Sequence, residues 1–146
     1  MKRKSFFICK ILPIVIVFLN LLTVFCLCLA NSESQLKAFK GEYEIYLNDS
    51  SSNAQIISIS RENVKFYPNK TGEAVCIDGL LNVNKILRQL NARVILIEEI
   101  NEGTCYYAFS PNVKYRKLLK GKTVNVQIFV GVDRVKIGTP IIYGSF

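Results

Sequence analysis

Residues 11–30 form an apolar run of twenty residues, interrupted only by Pro13, Asn20 and Thr23 and preceded by the basic stretch Met1–Lys10. No other feature limits the fold of this chain as much. At 1.5 Å rise per residue such a run makes a helix about 30 Å long, just enough to span a bilayer. A buried core helix would give no role to the flanking bases Lys2, Arg3, Lys4 and Lys10. Those charges lie on the N-terminal side and predict an N-in, C-out orientation. Cys28-Leu29-Ala30 places small residues three and one before Asn31, the pattern that signal peptidase accepts. Cleavage after Ala30 would release a secreted protein, and retention would leave a membrane anchor with a single transmembrane segment. The polar Asn31–Ser34 favours cleavage, although the run is long beside the usual signal core of about 7–15 residues. Cys26 and Cys28 follow Phe25 and Leu27 rather than small residues, so no lipobox is present. The expectation is an exported, extracytoplasmic protein, with residues 1–30 as signal peptide or anchor.

Composition matters only after this split. The whole chain has 19 bases against 11 acids and is 50% hydrophobic. The leader holds 22 of the hydrophobic residues and four of the bases, with no acid. The remaining 116 residues have the balance of one globular domain, large enough to bury a core. Histidine is absent, which excludes any mechanism that needs an imidazole.

The exported part reads as a linker over 31–41 and a single α+β domain over 42–146. Glu42–Leu47 alternates acids with Tyr43, Ile45 and Leu47, as a half-buried strand does. Gln55–Ser60, Val64–Tyr67 and Ala74–Ile77 read as further short strands. Val83, Ile86, Leu87 and Leu90 recur at helical spacing, with Asn82 as N-cap and Asn91 as stop. Arg93–Ile97 is short and nearly continuously apolar, the pattern of a central strand covered on both faces. A turn at Asn101-Glu102-Gly103 leads into the strand Thr104–Phe109. Pro111–Leu119 reads as irregular, Thr123–Val132 as one strand with unbroken alternation, and Val135–Thr139 as the last. Pro140 ends that strand or confines it to an edge. The fold class expected is a mostly antiparallel β-sheet with one amphipathic helix packed on one face, preceded by the hydrophobic export segment.

Asn84–Phe109 and Thr123–Ile142 resemble the end of the YwmB family, most specifically in Asn125-Val126-Gln127-Ile128 and Lys136-Ile137-Gly138-Thr139-Pro140-Ile141. The resemblance is confined to roughly the last 60 residues. It implies an exported protein of a spore-forming Gram-positive bacterium with a TATA-box-binding-protein-like fold: a curved antiparallel sheet with helices on its convex face. The chain is shorter than the family norm. The resemblance implies no reaction and no catalytic residue, and fold does not carry function.

Few side chains point to chemistry. Cys76 and Cys105 could pair in an oxidising compartment or stay as buried thiols; a bridge requires their strands to be neighbours. Glu98, Glu99 and Glu102 form the acidic cluster, but neighbours in a strand face opposite ways and the third sits in a turn. Neither a metal site nor a cofactor is expected. Lys114, Arg116, Lys117, Lys120 and Lys122 put five bases within nine residues, beside Tyr115, Leu118 and Leu119. Outside the cell this loop would meet lipid headgroups or anionic envelope polymers; intracellular nucleic acid is not an expected partner. A sheet edge could take a protein partner. The function expected is a non-enzymatic binding or structural module at the outer membrane face or wall. The alternative is a cell-wall hydrolase or other envelope enzyme that uses carboxylates.

Overall fold

The computed structural model describes residues 2–31, 33–48 and 54–144, with side chains of the first helix described from Leu12 to Leu27. That helix, α1, runs Lys2–Asn31 with Pro13 inside it. Twelve large apolar side chains between Leu12 and Leu27 are exposed, so α1 finds no protein surface to cover them. Its polar residues are satisfied within the helix: Asn20 Nδ2 donates to Ile16 O and Thr23 Oγ1 to Leu19 O, both at 2.8 Å. Among the described residues no helix is long and apolar enough to cross a membrane, the described side chains of α1 ending at Leu27. The side chains around the cleavage pattern at Ala30 and the loop residues 49–53 lie outside the described residues.

Seven strands form one antiparallel sheet. In chain order they are β1 (Glu42–Tyr46), β2 (Ile56–Ile59), β3 (Gly72–Asp78), β4 (Arg93–Ile100), β5 (Gly103–Phe109), β8 (Val126–Val130) and β9 (Arg134–Thr139). Their spatial order is β2-β1-β3-β9-β8-β5-β4. A separate hairpin pairs β6 (Lys117–Leu119) with β7 (Lys122–Val124). The α+β reading, with a mostly antiparallel sheet and a helix, holds.

Alternation puts Tyr43, Ile45, Val75, Ala108, Val126, Ile128, Val135 and Ile137 on one face. Helix α2 (Val83–Gln89) covers it with Ile86 and the capping Leu90. Asn82 caps α2 by accepting Asn84 N–H at 2.9 Å, and Asn91 leaves the helix at φ 50°, the left-handed stop that asparagine tolerates. The other face is partly roofed by the C-terminal segment. Ile142 N–H donates to Gln127 Oε1 at 2.9 Å, and Tyr143 packs edge-on against Tyr46.

Several expectations are corrected. Within the expected linker 31–41, Leu36 and Phe39 are core residues of the helix-covered face, so the packed domain takes in residues from Ser34 on. Val64–Tyr67 is not a strand: Arg61–Phe66 is a 3-10 helix, η1, which buries Val64 and leaves Phe66 exposed. β4 is an edge strand, not a central one. Its register shifts between Val94 and Leu96, a bulge that breaks the alternation and makes the run look continuously apolar. Ile97 is accordingly 53% exposed. The run Thr123–Val132 is divided at Asn125, and Val132 sits exposed beyond the strand. Pro140 ends β9, which is central.

The pairing of Cys76 with Cys105 is also excluded. Cys76 pairs with Lys136, Lys136 with Phe129, and Phe129 with Cys105, so one row crosses four strands. Three strand spacings separate the cysteines by about 14 Å, against the 4.4–6.8 Å a disulfide usually spans between Cα atoms. Both thiols are free.

Candidate functional site

The bulge in β4 and the end of β5 shape a groove of about 580 Å³ beneath the β6–β7 hairpin. Arg93 opens β4 directly opposite Phe109, the last residue of β5. The Arg93 guanidinium lies 5.9 Å from the Phe109 ring centroid, and that of Arg116 lies 5.7 Å from it. Lys122 and Thr123, brought in by the turn at Lys120-Gly121, complete the wall. Both turn residues have positive φ, and a two-residue loop of this kind twists with the strands it joins. No ion pair among the described residues occupies Arg93, Arg116 or Lys122. Two guanidiniums over one ring, with an ammonium nearby and no carboxylate in the lining, make a seat for an anion. Guanidinium forks match phosphate and carboxylate oxygens two at a time.

The five bases of the loop are not brought together. Arg116 and Lys122 line the groove. Lys117 Nζ donates to Tyr143 Oη at 2.9 Å and stands 5.2 Å above that ring. Lys120 is bonded to Glu98 on β4. Lys114 lies beside the start of the domain, its backbone N–H donating to Gln35 Oε1 at 2.8 Å. Arg93 and Phe109 were not among the expected site residues. Only the β4–β5 register and the return of Arg116 over β5 assemble them, so the single signal available was a lone arginine at the head of an apolar run.

No family model, curated protein or solved structure matches the chain.

The acidic cluster does not converge. Glu98 pairs with Cys105 in register, Glu99 with Thr104, and they face opposite sides of the sheet. The Lys120 ammonium, and then a hydrogen bond to Tyr107, hold the Glu98 carboxyl below the usual range. Glu102 is exposed at the hairpin turn. Burial pushes the Cys76 and Cys105 thiols up, away from the reactive thiolate. Gln127 Nε2 approaches Cys105 Sγ at 3.5 Å.

Two buried ionic arrangements lay beyond the sequence reading. Lys136 reaches across β3 to Glu44 on β1, with Nζ 2.9 Å from Oε2. Glu73, on the opposite face, accepts from Ser34 Oγ, Gln35 N–H and Leu36 N–H through one oxygen. Its second oxygen lies 3.9 Å from Lys70 Nζ. Burial raises the Glu73 carboxyl and lowers the Lys70 ammonium from their ordinary values. This carboxylate clamps the chain where it enters the domain.

Proposed function

We propose that this chain is an exported cell-envelope protein whose domain is a non-enzymatic binding module at the outer membrane face or wall of a Gram-positive bacterium, with the Arg93–Arg116–Lys122 groove as its anion-binding site. The leader sequence and the uncovered apolar side chains of α1 support export. The resemblance to the YwmB family favours the same compartment. The observation that carries the binding role is the pair of guanidiniums over Phe109 with Lys122 in the same groove wall, none of the three having an ionic partner among the described residues. Converging like charges are costly unless an anion answers them, and the groove leaves space for one. The hydrolase alternative loses its support where Glu98, Glu99 and Glu102 diverge.

Sedimentation of the full chain with anionic vesicles, or with isolated wall, at low salt tests the reading. Arg93, Arg116 and Lys122 changed together to Gln should weaken binding by about 100-fold, from roughly 1 kcal/mol per base. Changing Lys117 and Lys120 to Gln should weaken it far less, because both already have partners. Equal binding by the groove variant and the unaltered chain overturns the reading.

A further inference from the structure

The end of the sheet that carries the groove is also the end where the chain enters. Register lines up Val94, Ala108 and Val126 across β4, β5 and β8, and Glu73 with Ile45 and Thr139 across β3, β1 and β9. Gln127 pairs with Gly138, which sets Val126 level with Thr139. These six residues form one row, and Arg93 and Phe109 stand one step beyond it. Glu73 holds Ser34, Gln35 and Leu36 at that same level. Helix α1 ends at Asn31. Only residues 32 and 33 separate it from the clamped Ser34, so the domain begins within about 11 Å of the helix end. Four strand spacings, about 19 Å, lie between the clamp on β3 and the groove on β4. Charge divides along the strands in the same sense. Arg88, in the last turn of α2, adds a fourth cation next to Arg93. The far end exposes Asp78, Glu99, Glu102 and Asp133, with Arg134 paired to Asp133, and at its β1–β2 corner Glu42 and Glu62 beside Lys40 and Arg61.

We infer that the Arg93 end of the sheet lies against the membrane that holds α1, and that the groove takes the phosphate of anionic lipid headgroups. This rests on the proposed export and on α1 remaining attached. A tether of two residues cannot carry the domain away from the bilayer surface. The clamp places the cationic end toward the surface and the acidic end away from it. Attraction between these bases and an anionic leaflet falls off over a Debye length, about 10 Å at 0.1 M salt, and the fully extended tether is about as long. A soluble phosphate polymer of the wall would satisfy the same groove chemistry without needing this orientation.

Hydrogen exchange read by mass spectrometry, on the full chain reconstituted in vesicles, tests the inference. One preparation is pure phosphatidylcholine and the other contains one-third phosphatidylglycerol. With phosphatidylglycerol, exchange in residues 91–95 and 114–123 should slow at least about threefold, while 99–103 and 131–134 stay unchanged. Arg93→Gln, Arg116→Gln and Lys122→Gln together should abolish the slowing, with unchanged exchange in β3 and β9 showing that the fold is intact. No slowing in the inserted chain, or equal slowing at both ends, overturns the inference. Slowing by added soluble polyphosphate but not by phosphatidylglycerol overturns the lipid assignment and leaves the anion-binding reading standing. Release of the chain from vesicles by alkaline carbonate overturns the anchor, and the inference with it.

Discussion

The Glu73 carboxylate, with none of its residue surface exposed, accepts the backbone N–H of Leu36 at 3.0 Å. A strand in the middle of the sheet thereby caps the first turn of the domain. Ser34 Oγ supports both partners, donating to Glu73 and accepting Leu36 N–H at 3.1 Å.

Removing this carboxylate should be costly. Glu73→Ala leaves the Gln35 amide unpaired and Leu36 N–H with Ser34 Oγ alone, and it takes the Glu73 counter-charge from the buried Lys70. A loss of about 3–5 kcal/mol is expected in urea unfolding, and a smaller one for Glu73→Gln, which keeps an acceptor. The pH dependence follows from the raised carboxyl. The folded chain holds a proton on Glu73 at pH values where the unfolded chain has lost it. This group's contribution is complete below the ordinary glutamate value and fades as pH rises through the higher folded value. Unfolding midpoints across that window should show the decline in the unaltered chain, and Glu73→Gln should flatten it. An unchanged slope in the variant would assign the dependence elsewhere.

Asn125 is fully buried between two strands and turns its amide toward the neighbouring loop. Nδ2 donates to Ser110 O and to Val113 O at 3.0 Å, while Oδ1 accepts Ser110 N–H at 2.7 Å. Asn125→Ala should cost about 3 kcal/mol, since Ser110 N–H and Val113 O lose their partner and Ser110 O keeps only the long bond from Val113 N–H. Denaturant titration checks this, and a loss below 1 kcal/mol would mean that water replaces the amide.

The thiols should behave as separate residues. Reductant should leave the melting temperature unchanged to within about 1 °C, because no bridge closes the loop from Cys76 to Cys105. Thiol labelling followed by peptide mapping should find both cysteines reduced and Cys105 reactive only after unfolding. A mapped Cys76–Cys105 peptide would contradict the strand order.

Gly138 makes room for the chain that folds back over the sheet. A Cβ there would stand 2.6 Å from Ile142 Cγ1 and 3.0 Å from Ile142 N. Gly138→Ala should destabilise by about 1–3 kcal/mol, by displacing Ile142 and disturbing the edge-on Tyr46–Tyr143 pair. Loss of near-ultraviolet dichroism from those tyrosines, with the far-ultraviolet signal retained, is the expected signature.

Local chemistry was legible from the residues alone. Asn82 caps the helix and Asn91 stops it because both acts concern only neighbouring backbone groups. Strand β1 followed from alternation against a buried face, and β3, β5 and β9 from short runs bounded by turn residues. Arg116 and Lys122 were candidates because their charge is uncompensated locally. Where the reading failed, a distant partner intervened. Val64 enters the core from a 3-10 turn, Asn125 breaks a strand to serve Ser110 and Val113, and the bulge in β4 mimics a buried run.

The amino-acid order by itself determined the apolar N-terminal helix, the capped helix and an antiparallel sheet, since each depends on spacing along a few turns or residues. Only the tertiary structure decided which strands are neighbours. That choice separates the cysteines, sends Glu98 and Glu99 to opposite faces, draws Glu73 to the entering chain and sets Arg93 beside Arg116. Burying one continuous sheet face against α2 and η1 satisfies the core in this strand order, and the polar side chains take whatever partners that order provides.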